Sequence, residues 1–395
     1  AYTISHNEMY RVVADRTLAY IVDEMSSPEG GFYSAEDAGE VGVEGEYYSW
    51  LPSEIVEVLS PEIAERFSAL YGVTQAGNFE HGRTVLTIAD DEKWKETENA
   101  EIRSARATLR AKREERKRPH RDEKILTGWN GLAITALCKG YQVLHESRYR
   151  DAALKAARFI EERLASQGLK HRYCAGDAGI AAVLEDYAYL IEGYLALGEA
   201  TGDGYWFERA AQLQDEQDSR LWNPERSAYI SSASEGLIVK LCEWIDGATP
   251  SPNGVSFSNL YLLAAVTGEP RFVARAGELE LGVPTESFGL PMVYMSTMRA
   301  VATRLAGVAT CSVIEKNSSA APPQVAFKLW AKPLPFAVVL WAKNGGKVPK
   351  MLESKAPLGD NPTIVVCRGS TCFEPTLDVE DAGRLCSAVS LRVDS

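Results

Sequence analysis

Carboxylates set beside aromatic rings recur along this chain, and they are the groups from which chemistry could be built. "LEDYAYLIEGYLAL" places Glu185, Asp186 and Tyr187 at the start of a helical pattern. "WIDGATPSPNGVSFSNLYLL" places Asp246, Ser251 and Asn253 on a Pro- and Gly-rich loop that runs into another. "GGFYSAEDAGEVGVEGEYYSW" sets Glu36, Asp37, Glu44 and Glu46 among Tyr33, Tyr47, Tyr48 and Trp50. In "RPHRDEKILTGWNGLAITAL", Pro119 interrupts a helix, so Arg118 and His120 sit on a loop, and Trp129 with Asn130 opens an apolar helix. An indole stacks on the apolar face of a sugar while an amide takes its hydroxyls, so Trp129 and Asn130 suit a carbohydrate. A core Trp with Asn as a structural bridge accounts for the pair equally well. Acid–base work on a glycosidic bond needs two carboxyls roughly 5–10 Å apart, a separation that no sequence displays. Helix capping explains one carboxylate near a helix start but not readily two beside a Tyr.

Other chemistries find less support. Histidines 6, 81, 120, 145 and 171 form no short-spaced pair, and neither HExxH nor paired CxxC occurs, so no metal site is expected. Cys367 and Cys372 form a C-x4-C that could be a disulfide or half a metal site; with no second pair, structural thiols are preferred. No Gly-rich loop follows a strand, and no cofactor is expected. The basic run "LRAKREERKRPHRDEK" reads as a solvated amphipathic helix with i, i+4 pairs such as Glu114 and Arg118.

The elements that must position these groups are mainly helical. "EMYRVVADRTLAYIVDEM" carries Met9, Val12, Val13, Leu18, Ile21 and Val22 on one face and stops at Pro28 and Gly30-Gly31. Further helical patterns run roughly over 90–116, 128–145, 148–166, 182–200, 203–218, 254–267, 269–280 and 288–305. "GEATGDGYWFERAAQL" and "AAVTGEPRFVARAGEL" share one plan, and "LHESRYRDAALKAARFI" is a looser copy. Gly ends one helix, an acidic residue favours the next N-terminus, and a buried aromatic anchors the bend, so these are repeated helical hairpins. They imply a helical toroid or solenoid, with an irregular α-helical domain as the alternative. After about residue 306 the texture changes: "NSSAAPPQ" is linker-like, "PFAVVLWA" and "TIVVCR" are β-type runs, and a helical pattern covers 377–389. A helical region over 1–306 and a small α/β region over 307–395 follow.

A net charge of -13, from 42 Lys and Arg against 55 Asp and Glu, opposes binding to nucleic acid and anionic lipid. No apolar run is long enough to span a bilayer, and the N-terminus has no signal-peptide core. Seven cysteines over so long a chain suit a reducing compartment better than a secreted disulfide framework. A cytoplasmic location is expected, or an organelle lumen such as the mitochondrial matrix if a targeting segment has been removed.

Seven stretches in order, "GGFYSAEDA", "EGEYYSW", "GNFEHGRTVL", "RPHRDEKILTGWNGL", "LEDYAYLIEGYLAL", "DGATPSPNGVSFSNL" and "VVCRGSTCFEP", resemble the spermatogenesis-associated protein 20 family of thioredoxin-domain proteins. The resemblance implies an (α/α)6 toroid like those of six-hairpin glycosidases and N-acylglucosamine 2-epimerases, and a role in carbohydrate metabolism. It also implies that the toroid is incomplete, because this chain starts after the family's thioredoxin-like domain and first hairpins. Gly39, Arg121, Glu123 and "PSPNGV" depart from the family's pattern. On this resemblance the charged loop and Trp129-Asn130 lie at the mouth of the toroid's cavity. Asp186 or Glu185 is then the acid or base, His120 a second proton-transfer group, and Trp129 and Tyr187 the stacking platform. Asn130, Asp246, Asn253, Glu36, Asp37 and Arg118 would contact a small sugar. The competing expectation is a degenerate toroid that serves as a structural or binding subunit, with a protein partner completing the ring and covering apolar helix faces.

Overall fold

In chain order the helices are α1 (Tyr2–Ser5), α2 (Glu8–Glu24), α3 (Pro52–Val58), α4 (Pro61–Leu70), α5 (Ala100–Glu114), α6 (Thr127–Leu144), α7 (Ser147–Arg163), α8 (Leu184–Thr201), α9 (Gly204–Leu221), α10 (Pro252–Thr267), α11 (Pro270–Glu280), α12 (Met295–Ala306), α13 (Gln324–Trp330) and α14 (Val379–Ser387). The strands are β1 (Ala35–Glu36), β2 (Gly39–Glu40), β3 (Val43–Glu44), β4 (Arg121–Asp122), β5 (Ile125–Leu126), β6 (Lys170–Cys174), β7 (Asp177–Ala181), β8 (Trp222–Asn223), β9 (Ala228–Tyr229), β10 (Ala309–Ile314), β11 (Ala337–Leu340), β12 (Thr363–Arg368) and β13 (Thr371–Cys372). The structure, a computed structural model, describes residues 1–40, 43–88, 90–369 and 371–387. It divides into a larger unit (Ala1–Asn7, Arg11–Phe32, Lys124–Ser395) and a smaller one (Glu8–Tyr10, Tyr33–Glu123).

Three consecutive hairpins make the centre of the larger unit. α6 turns into α7, α8 into α9 and α10 into α11, and each first helix ends on a left-handed residue: His145, Gly202 or Gly268. In that conformation the N–H of each cap returns to the carbonyl four residues back, closing the helix end. Tyr149, Trp206 and Phe272, each third in its following helix, are buried against the bend. The shared sequence plan of the junctions thus produces a shared structure. α8 is apolar nearly all round and buried along almost its whole length, whereas α7, α9 and α11 bury one stripe each.

α6 and α8 approach closely because glycines face each other. A Cβ on Gly131 would lie 2.5 Å from the Tyr189 carbonyl carbon, and one on Gly193 would lie 2.9 Å from the Gly131 oxygen. α2 leans on the first hairpin: Leu18 packs over Gly140, and the Tyr149 hydroxyl donates to the Asp15 carbonyl at 2.9 Å. Of the apolar face expected of α2, Met9, Val12, Leu18, Ile21 and Val22 are half-buried, Val13 is exposed, and none is fully buried.

Beyond α12 the chain enters a four-stranded sheet ordered β11-β10-β12-β13, with β10 parallel to β11 and antiparallel to β12. The expected change of texture near 306 falls here, within the larger unit. α13 and α14 pack with this sheet around Cys311, Trp330, Val339, Ile364 and Cys386. Buried Glu199 of α8 keys the sheet to the helices: Oε1 accepts from Trp330 Nε1 (3.0 Å) and Val339 N–H (3.1 Å), and Oε2 from Lys139 Nζ (3.0 Å). A buried carboxylate with that many donors is satisfied in place.

In the smaller unit, α3, α4 and α5 enclose Trp50, Ile55, Phe67, Ile102 and Leu109. Arg116 stacks on Trp50 at 4.2 Å and donates to Glu54 Oε1 at 3.0 Å, so part of the basic run is structural.

Several expectations are corrected. The helix expected over 90–116 is broken, because Asn99 caps α5 after a 3-10 stretch, Asp91–Glu98. The helix expected from 288 begins at Met295, after Pro291. In the basic run Arg110 pairs with Glu114 at the expected i, i+4 spacing, Lys112 with Glu115, Arg116 with Glu54, Arg118 with Glu36 and Arg121 with Glu123, so the run is tied into the smaller unit as well as solvated. Cys367 and Cys372, read as thiols, are joined in a disulfide. Pro322 and Pro323 of the linker-like stretch are buried at the start of α13.

The glycine contact makes a test. Gly131→Ala should destabilise the chain by about 1–3 kcal/mol, since an added methyl meets backbone that cannot rotate away. Denaturant unfolding of the two proteins measures it.

Candidate functional site

The N-terminal ends of α6 and α8 are brought together by a small sheet. β5, which leads directly into α6, pairs antiparallel with β6, and β6 with β7, which leads into α8. Thr127 Oγ1 donates to the Lys170 carbonyl at 2.6 Å, fixing the first turn of α6 against β6. The next residue of β6 is His171.

Asp186 lies at the hub. Its carboxylate is fully buried and accepts from Gly128 N–H (2.9 Å, Oδ1) and Val183 N–H (2.9 Å, Oδ2), so it caps its own helix and holds α6 as well. Nδ1 of His171 stands 2.9 Å from Oδ2 and 3.1 Å from Oδ1. This leaves Nε2 as the ring nitrogen for other work. Glu185, half-buried, completes the group: polar atoms of His171, Glu185 and Asp186 all lie within 4.8 Å of one another. Trp129, next to Gly128, is 42% exposed.

Electrostatics pull these groups in one direction. The hydrogen bond to Asp186 raises the His171 pKa above 6.5 against the opposing effect of its burial. Burial raises that of Asp186, partly offset by His171 and the two backbone N–H groups. Together these mean that the pair keeps a proton to higher pH than either group would alone. Burial, then the charge of Asp186, raises the Glu185 carboxyl. The set therefore offers an oriented imidazole and a carboxyl inclined to hold a proton, the two kinds of group general acid–base chemistry uses. As metal donors they are less well placed, since an ion would have to displace the hydrogen bonds that fix Asp186.

The other sequence candidates are spread more widely. Asn130 is buried with its amide spent on backbone: Oδ1 accepts from Phe32 N–H (2.8 Å), and Nδ2 donates to the carbonyls of Phe32 (3.0 Å) and Leu126 (2.9 Å). Asn253 repeats this on Tyr229, accepting from its N–H (2.9 Å) and donating to its carbonyl (3.0 Å) and to that of Glu243 (3.1 Å). Asp246 accepts from Ser251 N–H (2.7 Å) and Ser296 N–H (2.9 Å), pinning its loop to α12. Tyr187 is fully buried, with its hydroxyl at 3.3 Å from Arg220, so its ring offers no stacking face. Glu36, Asp37, Arg118 and His120 belong to the smaller unit. There the Asp37 N–H donates to the His120 carbonyl (2.8 Å), Arg118 pairs with Glu36 (2.6 Å), and the His120 side chain is exposed. His171 was not a candidate from sequence, because its partner Asp186 stands fifteen residues on and no local motif marks the histidine; the alternation of "KHRYC" as a strand into a hairpin is the one available signal.

No family model matches the chain. It is 28% identical over 434 aligned positions to spermatogenesis-associated protein 20 of Homo sapiens, covering 96% of this chain and 55% of that protein. To the protein of the same name in Mus musculus it is 32% identical over 314 positions, covering 68% and 40%. The chain thus spans about half the length of the curated relatives it matches. Solved structures similar to it include a D-mannose isomerase (TM-score 0.40, 12% identity, covering 72% of this chain and 53% of that one). Another is the GH76 α-mannanase BT2949 of Bacteroides thetaiotaomicron (TM-score 0.36, 13% identity, 71% of each). Among the described residues no helix is long and apolar enough to cross a membrane.

Two measurements test the hub. Asp186→Ala should cost about 2–4 kcal/mol in denaturant unfolding, because Gly128 and Val183 N–H groups and His171 lose a buried acceptor together. His171, whose folded pKa is raised, contributes stability that is fully present below its unfolded value of about 6.5 and is lost as pH rises through the folded value. The gap in melting temperature between wild type and His171→Asn should therefore be widest in acid and close toward alkaline pH.

Proposed function

We propose that this chain, a homologue of spermatogenesis-associated protein 20, is a carbohydrate-active protein that moves a proton on a sugar at the Glu185–His171–Asp186 cluster. The observation that carries the reading is the Asp186–His171 pair at 2.9 Å with Glu185 in the same cluster; Trp129, which follows the Gly128 bound by Asp186, is exposed. Asp186 is the positioning residue: it fixes the imidazole through Nδ1 and leaves Nε2 to take or give a proton. Glu185, with its raised pKa, is the second proton-transfer group. Trp129 supplies the stacking face.

This arrangement favours isomerisation or epimerisation over hydrolysis. Glycosidic hydrolysis needs two carboxyls that both reach the sugar. Asp186 is fully buried with both oxygens occupied, so only Glu185 of the pair is free to do so. An imidazole and a carboxyl suit removal and return of a proton beside the carbonyl of an open-chain sugar. Asn130, Asn253, Asp246 and Tyr187 are left out of the ligand set because their polar atoms or ring faces are used in the fold.

A second reading, a partner-binding subunit, is supported by exposed apolar side chains on two loops. Leu237, Ile238, Val239 and Leu241 stand on one and Phe288, Leu290 and Met292 on the other, and Asp246 N–H joins the two through the Val293 carbonyl at 2.9 Å. Such surfaces mark interaction sites.

Incubation in D2O with a panel of aldoses, ketoses and N-acylated sugars separates the two. Deuterium should enter at the carbon next to the carbonyl, with a rate that rises with pH through a midpoint above 6.5 as His171 becomes a base. Glu185→Gln and His171→Asn should each lower that rate by about 10²–10⁴-fold, and Trp129→Ala should weaken binding by roughly tenfold. A folded chain that exchanges no deuterium with any sugar, and that elutes as a defined complex with another protein, would move the assignment to the second reading.

A further inference from the structure

The C-terminal sheet holds a sulfur pair with a cation set against one of its two atoms. Cys367 of β12 and Cys372 of β13 are cross-strand partners joined by a disulfide. Their access differs sharply: Cys367 is 2% exposed, while Cys372 lies open to solvent. Nζ of Lys355 is 3.6 Å from the Cys367 sulfur and donates to Ser312 Oγ at 2.8 Å. Thr310 is the register partner of Cys367, and Ser312 stands two residues further along β10, so hydroxyl, amine and sulfur share one face of the sheet. The thiols of Cys311 and Cys386 belong to the core on the other face.

Lys355 is half-buried, and burial lowers its pKa from 10.5. Among the described residues no carboxylate is in ion-pair reach of it. A partly desolvated ammonium without a carboxylate, facing a sulfur, is matched to the anion that sulfur becomes when the bond opens.

We propose that Cys367–Cys372 is an exchangeable disulfide with a set polarity, in which a thiol reductant attacks Cys372 and Cys367 departs as a thiolate held by Lys355. The incoming thiolate forms a bond to the Cys372 sulfur, the Cys372–Cys367 bond breaks, and its electron pair goes to Cys367. A second thiolate, from the same dithiol or another thiol molecule, then attacks the reductant's sulfur in the mixed disulfide and releases Cys372. The reductant leaves as its disulfide, and the chain has gained two electrons and, once both thiolates protonate, two protons. Access selects the attacked sulfur, and the cation selects the leaving group, since a thiol whose anion is stabilised leaves faster. This exchange is independent of the sugar chemistry proposed above.

The test uses the whole chain. Folded wild-type protein is treated with reduced glutathione at neutral pH, quenched in acid and mapped by mass spectrometry. Rates of opening by dithiothreitol are measured for wild type, Lys355→Met and Lys355→Arg. Glutathione should be found on Cys372, Lys355→Met should open roughly tenfold more slowly, and Lys355→Arg should stay near wild type. Glutathione on Cys367, equal rates in wild type and Lys355→Met, or a bond that opens only in denaturant would each overturn the proposal. The mapping needs no variant, so it decides the point even if Lys355→Met does not fold.

Discussion

The closeness of α6 and α8 is the constraint on which the site depends. Gly131 and Gly193 remove the side chains that would hold the two helices a normal distance apart, and the backbones meet. Only then can the Gly128 N–H reach the Asp186 carboxylate, and only then does the first turn of α6 lie against the Glu185 backbone. The small sheet preceding both helices adds His171 from β6. A single packing decision thus collects groups from three segments that share no local motif.

Polar residues near the starts of the inner helices do related jobs with different consequences. Asn130 in α6 and Asn253 in α10 each grip one residue's N–H and carbonyl, Phe32 and Tyr229, much as a strand would. An amide can both donate and accept, so it closes such a contact completely and stays neutral. In the first turn of α8 the polar residue is a carboxylate, which can only accept. Asp186 therefore collects N–H groups from two backbones and an imidazole, and the charge that makes it a good hub also raises the His171 pKa. Titratable groups gather where the neutral solution was not used.

The far end of α8 carries a second, purely architectural carboxylate. Glu199 joins Lys139 of α6 to Trp330 and β11, so the C-terminal sheet is held against the hairpins by a saturated buried acid rather than by apolar contact alone. On that sheet Ser312 of β10 holds the Lys355 amine beside Cys367.

Much of this was legible in the residues alone. Helical periodicity marked α6 to α11, because burying one face imposes its spacing on the chain whatever the neighbours are. The Gly and aromatic positions of the junctions at 202 and 268 marked the hairpins, because a left-handed cap and a buried ring are local demands. The value of Glu185, Asp186 and Trp129 as candidates also came from their types and their places at helix starts. Tertiary structure alone decided which candidates meet. It spent Asn130, Asn253 and Asp246 on backbone, buried Tyr187, and introduced His171 across a hairpin. Periodicity reports what a segment buries against itself and water, whereas a hydrogen bond between residues far apart in the chain depends on how two helices pack, and no short stretch of sequence records that.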